Sequence, residues 1–339
     1  MAPTTENVWD AAIAFDKKRK EAQVLHGQAE TTLLVIGSKS VGKSTLIHKF
    51  LERQEAAKST LALEYTFGRK TNQSLIKDVS HIWELGGGTL FSKLLETPLA
   101  PSKLESVRVV VMVDLADPSQ LWFTLESLIT AVLSHIQISL KSAKGKEMDL
   151  GDKLKALSDP HIDGEHPDIA KVKPFPVPLV ILGGKYDEFQ NMEPEKKKII
   201  CRAMRFFAHY HGATLQFYTS KDSGSVKKAR DLLSQLAFGT EPNKGVSQDY
   251  NKPLIIPAWS DSFAAIINED TANMDMMKHH FTTHYPQSVN EGTALPDDPA
   301  KDPNFREPEI DQLRSQKDED LERYRKDIEK RAKQMGDEF

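Results

Sequence analysis

Hydrophobic and polar positions alternate along this chain in blocks whose period switches between that of a strand and that of a helix. Residues 32–36 form an apolar run, and helical spacing follows from Lys43 to about Arg53. Segments 70–76 and 79–84 read as two strands of a hairpin turning at Lys77-Asp78. Val107 to Val113 is β-branched almost throughout, as expected of a strand buried on both faces. Leu121, Leu125, Leu128, Ile129, Val132 and Ile136 then recur at helical spacing within Gln120 to Leu140. A buried strand at Val177 to Leu182, a helix over 193–211, a strand at Thr214 to Tyr218 and a helix over 224–237 complete the series. Strands alternating with helices predict an α/β fold: a doubly wound, mostly parallel sheet over 31–238, ending near Phe238.

The flanks have a different pattern. Over residues 1–30, Thr5 is placed to cap a helix whose stripe is Val8, Trp9, Ala12, Ile13 and Phe15, ahead of Lys17-Lys18-Arg19-Lys20. Ser142 to Pro174 is rich in Lys, Asp, His and Pro and reads as a flexible surface insertion. Segment 239–285 reads as a structured extension, on the strength of Leu254 to Trp259 and of Phe263, Ile266 and Ile267. Residues 286–308, with five prolines, read as a linker. The last segment, 309–339, is a charged helix with a thin stripe of Ile310, Leu313, Leu321, Tyr324 and Ile328, which stays solvated unless a partner covers it.

Composition narrows the function classes. A chain of 339 residues, 39% hydrophobic, buries a full core, and a net charge of -4 gives no electrostatic reason to expect nucleic acid as a partner. The single cysteine, Cys201, excludes an internal disulfide and is expected in the core. The N-terminus lacks a basic region leading into an apolar segment, and no apolar run is expected to approach membrane-spanning length, so the chain reads as cytosolic.

One motif carries most of the chemical information. Gly37-Ser38-Lys39-Ser40-Val41-Gly42-Lys43-Ser44 fits G-x-x-x-x-G-K-[ST] between an apolar run and the helical Thr45-Leu46-Ile47. Glycines let backbone N–H groups turn toward phosphate oxygens, Lys43 neutralises phosphate charge, and Ser44 supplies a hydroxyl for Mg²⁺. Three further elements follow in the order of a GTPase. Glu84-Leu85-Gly86-Gly87 stands where D-x-x-G is expected, and the next residue is Gly88, where many GTPases have the glutamine that orients the attacking water. Gly184-Lys185-Tyr186-Asp187 resembles N-K-x-D with glycine at the Asn position, and Thr219-Ser220-Lys221 resembles S-A-K. The candidate nucleotide site is therefore Gly37, Lys39, Gly42, Lys43, Ser44, Thr45, Lys185, Asp187, Ser220 and Lys221, with Ser44, Thr66 and Glu84 around Mg²⁺. The ligand expected is GDP, GTP or an adenine nucleotide, or none, and the loss at Gly88 argues against efficient hydrolysis. His279, His280 and His284 include an i, i+4 pair without the acid of H-E-x-x-H, and His161, Asp163, His166 and Asp168 read as loop residues.

Together with Pro257-Ala258-Trp259-Ser260-Asp261 and the Trp-bearing N-terminal segment, these elements resemble the light intermediate chains of cytoplasmic dynein, and among them the dynein 2 branch. That resemblance implies a Ras-like P-loop domain that acts as a non-catalytic subunit on the heavy-chain tail. It further implies intermediate and light chains and intraflagellar transport trains as partners, and a place in the cytoplasm, the cilium and its base, and on microtubules. Trp9, Ile13, Phe15, Trp259 and Phe263 are its candidate partner contacts. An active P-loop GTPase or ATPase switch is the alternative, since the loop itself is intact.

Overall fold

The structure is a computed structural model that describes residues 30–71, 77–143, 150–151, 154, 166–241, 245–267, 273–288, 303 and 306–336. The chain divides into two units, one reaching Gly292 and one from Thr293 onward.

In the first unit the elements run β1 (Glu30–Gly37), α1 (Lys43–Phe50), β2 (Leu63–Thr71), β3 (Lys77–Leu85), β4 (Val107–Asp114) and α2 (Pro118–Ala143). They continue with β5 (Leu179–Gly184), α3 (Tyr186–Phe189), α4 (Pro194–Tyr210), β6 (Thr214–Phe217), α5 (Ser223–Phe238), β7 (Ile255–Ile256), α6 (Phe263–Ile267) and α7 (Met274–His284). Two 3₁₀ turns, Ser92–Glu96 and Pro101–Ser106, precede β4. The second unit contributes α8 (Pro308–Gly336), whose Ile310, Leu313, Leu321, Tyr324 and Ile328 are all exposed.

Seven strands form one sheet in the order β2-β3-β1-β4-β5-β6-β7, parallel except for the antiparallel outer pairs β2–β3 and β6–β7. Successive residues of a strand point to opposite faces, so the continuous apolar runs feed two cores. Leu34, Ile36, Val109, Val111, Ile181 and Leu215 pack with Trp122, Leu125 and Phe207 on one side. Leu33, Val35, Val110, Met112, Val180 and Leu182 pack with Leu46, Ala229 and Leu233 on the other. The doubly wound expectation is met.

Several boundaries differ from the sequence reading. Lys77 and Asp78 belong to β3, which pairs with β2 from Lys77↔Thr71 to Leu85↔Leu63, so the hairpin does not turn there. Helix α1 stops at Phe50 instead of near Arg53, because Glu52 adopts φ 55° and breaks the ladder. The sheet does not close at Phe238: β7, from the extension, pairs with β6 and completes it. Within the insertion, Leu150, Leu154 and Val172 join the first core, so its described part is packed instead of free. Helix α2 is also long and apolar enough to cross a membrane by length and composition, contrary to expectation, but Leu121, Trp122, Leu125, Leu128, Val132 and Ile136 spend that apolarity on the core. Cys201 is buried as expected, and burial pushes its thiol up to about 12.

Candidate functional site

The loop after β1 is shaped by two glycines. Gly37, at φ 147°, lies so close to β4 that a Cβ there would fall 1.9 Å from the Met112 carbonyl, and the next amide, Ser38 N, donates to that carbonyl at 2.9 Å. Gly42, at φ 99°, is the N-cap of α1 and makes no side-chain cap, which leaves the first amides of the helix facing the loop. Lys43 is buried inside this turn and donates from Nζ to Ser38 O (2.9 Å) and Gly37 O (3.3 Å). Burial lowers its pKa, and the nearby Glu84 opposes that shift. Lys39 is exposed on the loop, and Thr45 is partly buried in the first turn of α1.

Ser44 Oγ donates to Glu84 Oε1 at 2.8 Å and lies 3.3 Å from Thr60 Oγ1, which in turn donates to Glu64 Oε2 at 3.1 Å. Burial raises the Glu84 carboxyl, while its bonds to Ser44 and Thr60 and the charge of Lys43 pull it back. Ser44, Thr60 and Glu84 offer hydroxyl and carboxylate oxygens, the donor type that a hard divalent cation such as Mg²⁺ takes, so these residues fit a nucleotide-bound Mg²⁺. The loop threonine that joins this group is Thr60. Thr66 sits instead on the edge strand β2, opposite Ile82, and accepts from Arg53 Nη2 at 2.5 Å. Sequence spacing favoured Thr66 because the loop was expected to run past it; β2 in fact begins at Leu63. Gly88 adopts φ 65°, and a Cβ there would point into space 3.8 Å from Lys39 N. The position that would carry a water-orienting side chain therefore does lie against the phosphate loop, and it has none.

The base side is assembled from the ends of β5 and β6. A Cβ on Gly184 would fall 2.6 Å from Val41 Cγ2 and 3.1 Å from Val41 O, so Val41 of the phosphate loop fills the space an Asn side chain would use. Lys185, at φ 56°, forms an ion pair with Asp114 Oδ2 at 2.6 Å. Asp187 accepts from Thr219 Oγ1 (2.7 Å) through Oδ1 and meets Lys221 Nζ (2.5 Å) through Oδ2. Its bond to Lys221, then that to Thr219, holds its carboxyl below the usual range. Lys49 of α1 donates to Ser220 O at 2.5 Å and ties the two halves together. The four elements read in the sequence thus converge on one site. Val41, Thr60, Glu64, Lys49 and Asp114 were not foreseen; their roles come from contacts across the fold.

The other candidates fall elsewhere. Trp9, Ile13, Phe15, His161 and Asp163 lie outside the described residues. Phe263 is fully buried, 5.1 Å from the Phe206 ring and 4.6 Å from that of His209, and so is a core residue of its own domain instead of a partner contact. Trp259, at φ 64°, packs its indole over Gly212, where a Cβ would be 3.1 Å from Cζ2, and edge-on to His166 at 5.8 Å. His166 and Asp168, read as loop residues, are structural. Asp168 is buried and accepts through Oδ2 from His209 Nε2 (2.9 Å) and Phe263 N (2.8 Å), while His166 bonds to Asp261 O (3.0 Å) and accepts from Asp168 N (3.2 Å). With both ring nitrogens of His166 engaged, the trio His166, Asp168 and His209 is a hydrogen-bonded clamp, not an open metal site. Asp261 completes it with a bidentate bond to Arg205 at 2.7 and 2.8 Å. His280 and His284 are both exposed, and His284 Nδ1 is 2.9 Å from His280 O.

Residues 4–164, which include the phosphate loop and Glu84, match the family model described as dynein light intermediate chain. The chain is similar to proteins named cytoplasmic dynein 2 light intermediate chain 1 from Mus musculus (37% identity), Danio rerio (38%) and Homo sapiens (39%), each match covering 98% of both chains. Among solved structures it is similar in fold to the conserved domain of a dynein light intermediate chain, with TM-score 0.53 and 14% identity over 80% of this chain and 95% of that one. A phosphate loop on β1, degraded switch and base elements around it, and relatives matched from end to end lead to one assignment: the chain belongs to the dynein light intermediate chain family.

Proposed function

We propose that this chain is a non-catalytic subunit of the dynein 2 motor that binds and stabilises the heavy-chain tail, and so supports retrograde intraflagellar transport and cilium assembly. The observation that carries this reading is the match over 98% of the chain to relatives named as dynein 2 light intermediate chains. The site geometry agrees with it. Gly88 places no side chain beside the phosphate loop to orient water, and Val41 fills the space of the missing Asn at Gly184. A phosphate loop that is complete but poorly equipped for turnover suits a resident nucleotide, guanine or adenine, held with Mg²⁺ as a fold-stabilising ligand. The exposed stripe of α8 is a surface for partner contact, since its apolar positions repeat at helical spacing and are solvent-exposed.

Co-expression with the dynein 2 heavy-chain tail tests the proposal. The two should co-purify at a fixed ratio, and the heavy chain should lose solubility without this chain. A well-folded chain that never co-purifies with the tail rejects it. The intact loop favours a second reading, an active P-loop switch. That reading needs multiple-turnover hydrolysis of GTP or ATP clearly above that of Lys43→Ala.

A further inference from the structure

The sheet ends on β2, an edge strand of nine residues. Gly86 N donates to Ala62 O at 2.7 Å, so Ala62 faces β3, and along the constant β2–β3 register Glu64, Thr66, Gly68 and Lys70 face it too. The main-chain N–H and C=O groups of Leu63, Tyr65, Phe67, Arg69 and Thr71 therefore point away from the sheet, and an edge of that length is a template for another strand. Tyr65 is 46% exposed and Phe67 45% exposed. Their side chains share one face, where the Trp83 ring lies 4.9 Å from Tyr65 and the Arg69 guanidinium 4.8 Å over Phe67. Glu64 and Lys70 are exposed on the other face.

The sequence of β2, Leu63-Glu64-Tyr65-Thr66-Phe67-Gly68-Arg69-Lys70-Thr71, is complementary to itself when reversed about its midpoint, Phe67. An antiparallel second copy in that register sets Glu64 opposite Lys70, Tyr65 opposite Arg69 and Phe67 opposite Phe67. Opposite charges then meet on one face, and cation meets ring and ring meets ring on the other, all stabilising cross-strand pairs. The same register joins the five residues whose main-chain groups are turned outward, and so forms about ten hydrogen bonds between the copies. Moving the axis one residue, to Thr66 or Gly68, separates Glu64 from Lys70. Charges on an edge strand ordinarily block such pairing, whereas here Arg69 and Lys70 both have counterparts.

We propose that two copies of this chain pair antiparallel through β2 across a two-fold axis at Phe67, joining their sheets into one. The contact is isologous and uses up the long edge of each copy, so it closes at a dimer. At the opposite end of the sheet β7 is two residues long, and its Ile255 is already bridged by Ser247. The pairing needs only the β2 edge, so its failure leaves the heavy-chain reading untouched.

Sedimentation velocity of the full-length chain at rising concentration tests it. The wild type should pass from monomer to dimer and stop there. Glu64→Lys and Lys70→Glu should each weaken the dimer about tenfold, and the two together should restore it, which loss of folding cannot imitate. Thr66→Cys should be linked between copies by a short bismaleimide, because Thr66 lies diagonal to Thr66 of the second copy at about 7–8 Å. Thr71→Cys should not be linked, since two such cysteines stand about 26 Å apart along the paired strands; the native Cys201 is buried. A wild type that stays monomeric throughout overturns the proposal. So does a charge-swapped double variant no stronger than the single ones, a dimer that neither single variant weakens, or equal linking at positions 66 and 71.

Discussion

Replacing Asp168 by alanine tests whether the C-terminal extension is part of the core. Its Oδ2 accepts from two buried donors, His209 Nε2 at 2.9 Å and the Phe263 amide at 2.8 Å, so the truncation strands both. Leaving a buried donor unsatisfied costs about 1–3 kcal/mol. His209 Nδ1 already lacks a partner, which leaves the ring no second anchor among the described residues. The loss should therefore total about 2–5 kcal/mol, and Tm should fall by roughly 5–15 °C at about 2–4 °C per kcal/mol for a domain of this size. Asp168→Asn keeps an acceptor oxygen at the same place and should retain more than half of that stability. Urea unfolding followed by tryptophan fluorescence measures both, with limited proteolysis near Phe263 reporting release of the extension. An alanine variant within about 1 kcal/mol of wild type, or an asparagine variant as damaged as the alanine one, shows that Asp168 does not hold the extension to the core.

His209 of this clamp and the nearby His211 make stability fall in acid. Burial lowers His209 and takes His211 from 6.5 down to about 4, so the unfolded chain binds protons first as pH drops below 6.5. Stability is thus fully present above pH 6.5 and lost below it, by about 2 kcal/mol for His211 alone at pH 5; urea midpoints at pH 7.5 and 5 should differ, and His211→Gln should reduce the difference. Gly184→Asn should not restore a guanine element, because its Cβ would fall 2.6 Å from Val41 Cγ2. It should instead cost about 1–3 kcal/mol in chemical denaturation, with recovery in the double variant carrying Val41→Ala. Lys43→Ala removes the ammonium held at Ser38 O and Gly37 O, and should abolish any rise in Tm on adding GDP or ADP, a rise worth about 2.7 kcal/mol at a hundredfold excess over Kd in the wild type. An undiminished rise in the variant shows that the ligand does not use this loop.

Local pattern sufficed for much of the architecture, since strand and helix periods are properties of neighbouring residues. The runs at Leu33–Ile36, Val107–Val113 and Leu179–Leu182 appear as central strands, and the loop from Gly37 to Ser44 appears between strand and helix as its motif requires. Sequence spacing also placed Glu84, Lys185, Asp187 and Lys221 at the ends of strands that a parallel sheet brings to one edge.

What needed the tertiary structure was every property that depends on a distant partner. Thr60, not Thr66, joins Ser44 and Glu84 because strand β2 starts three residues after Thr60 and carries Thr66 away along the edge. Val41 and Gly184 exclude each other's side-chain volume across the loop, which neither segment shows by itself. Asp168 looks like a solvated loop acid until His209 and Phe263, 41 and 95 residues further on, enclose it, and Phe263 looks free to meet a partner until Phe206 covers it. The amino-acid sequence by itself determined the alternation of elements and the chemistry of the phosphate loop, because both are written within a few consecutive residues. Burial, ion pairing and the division between inner and outer aromatic rings were decided only by the packed fold, because desolvation and hydrogen bonding follow distance in space and not position along the chain.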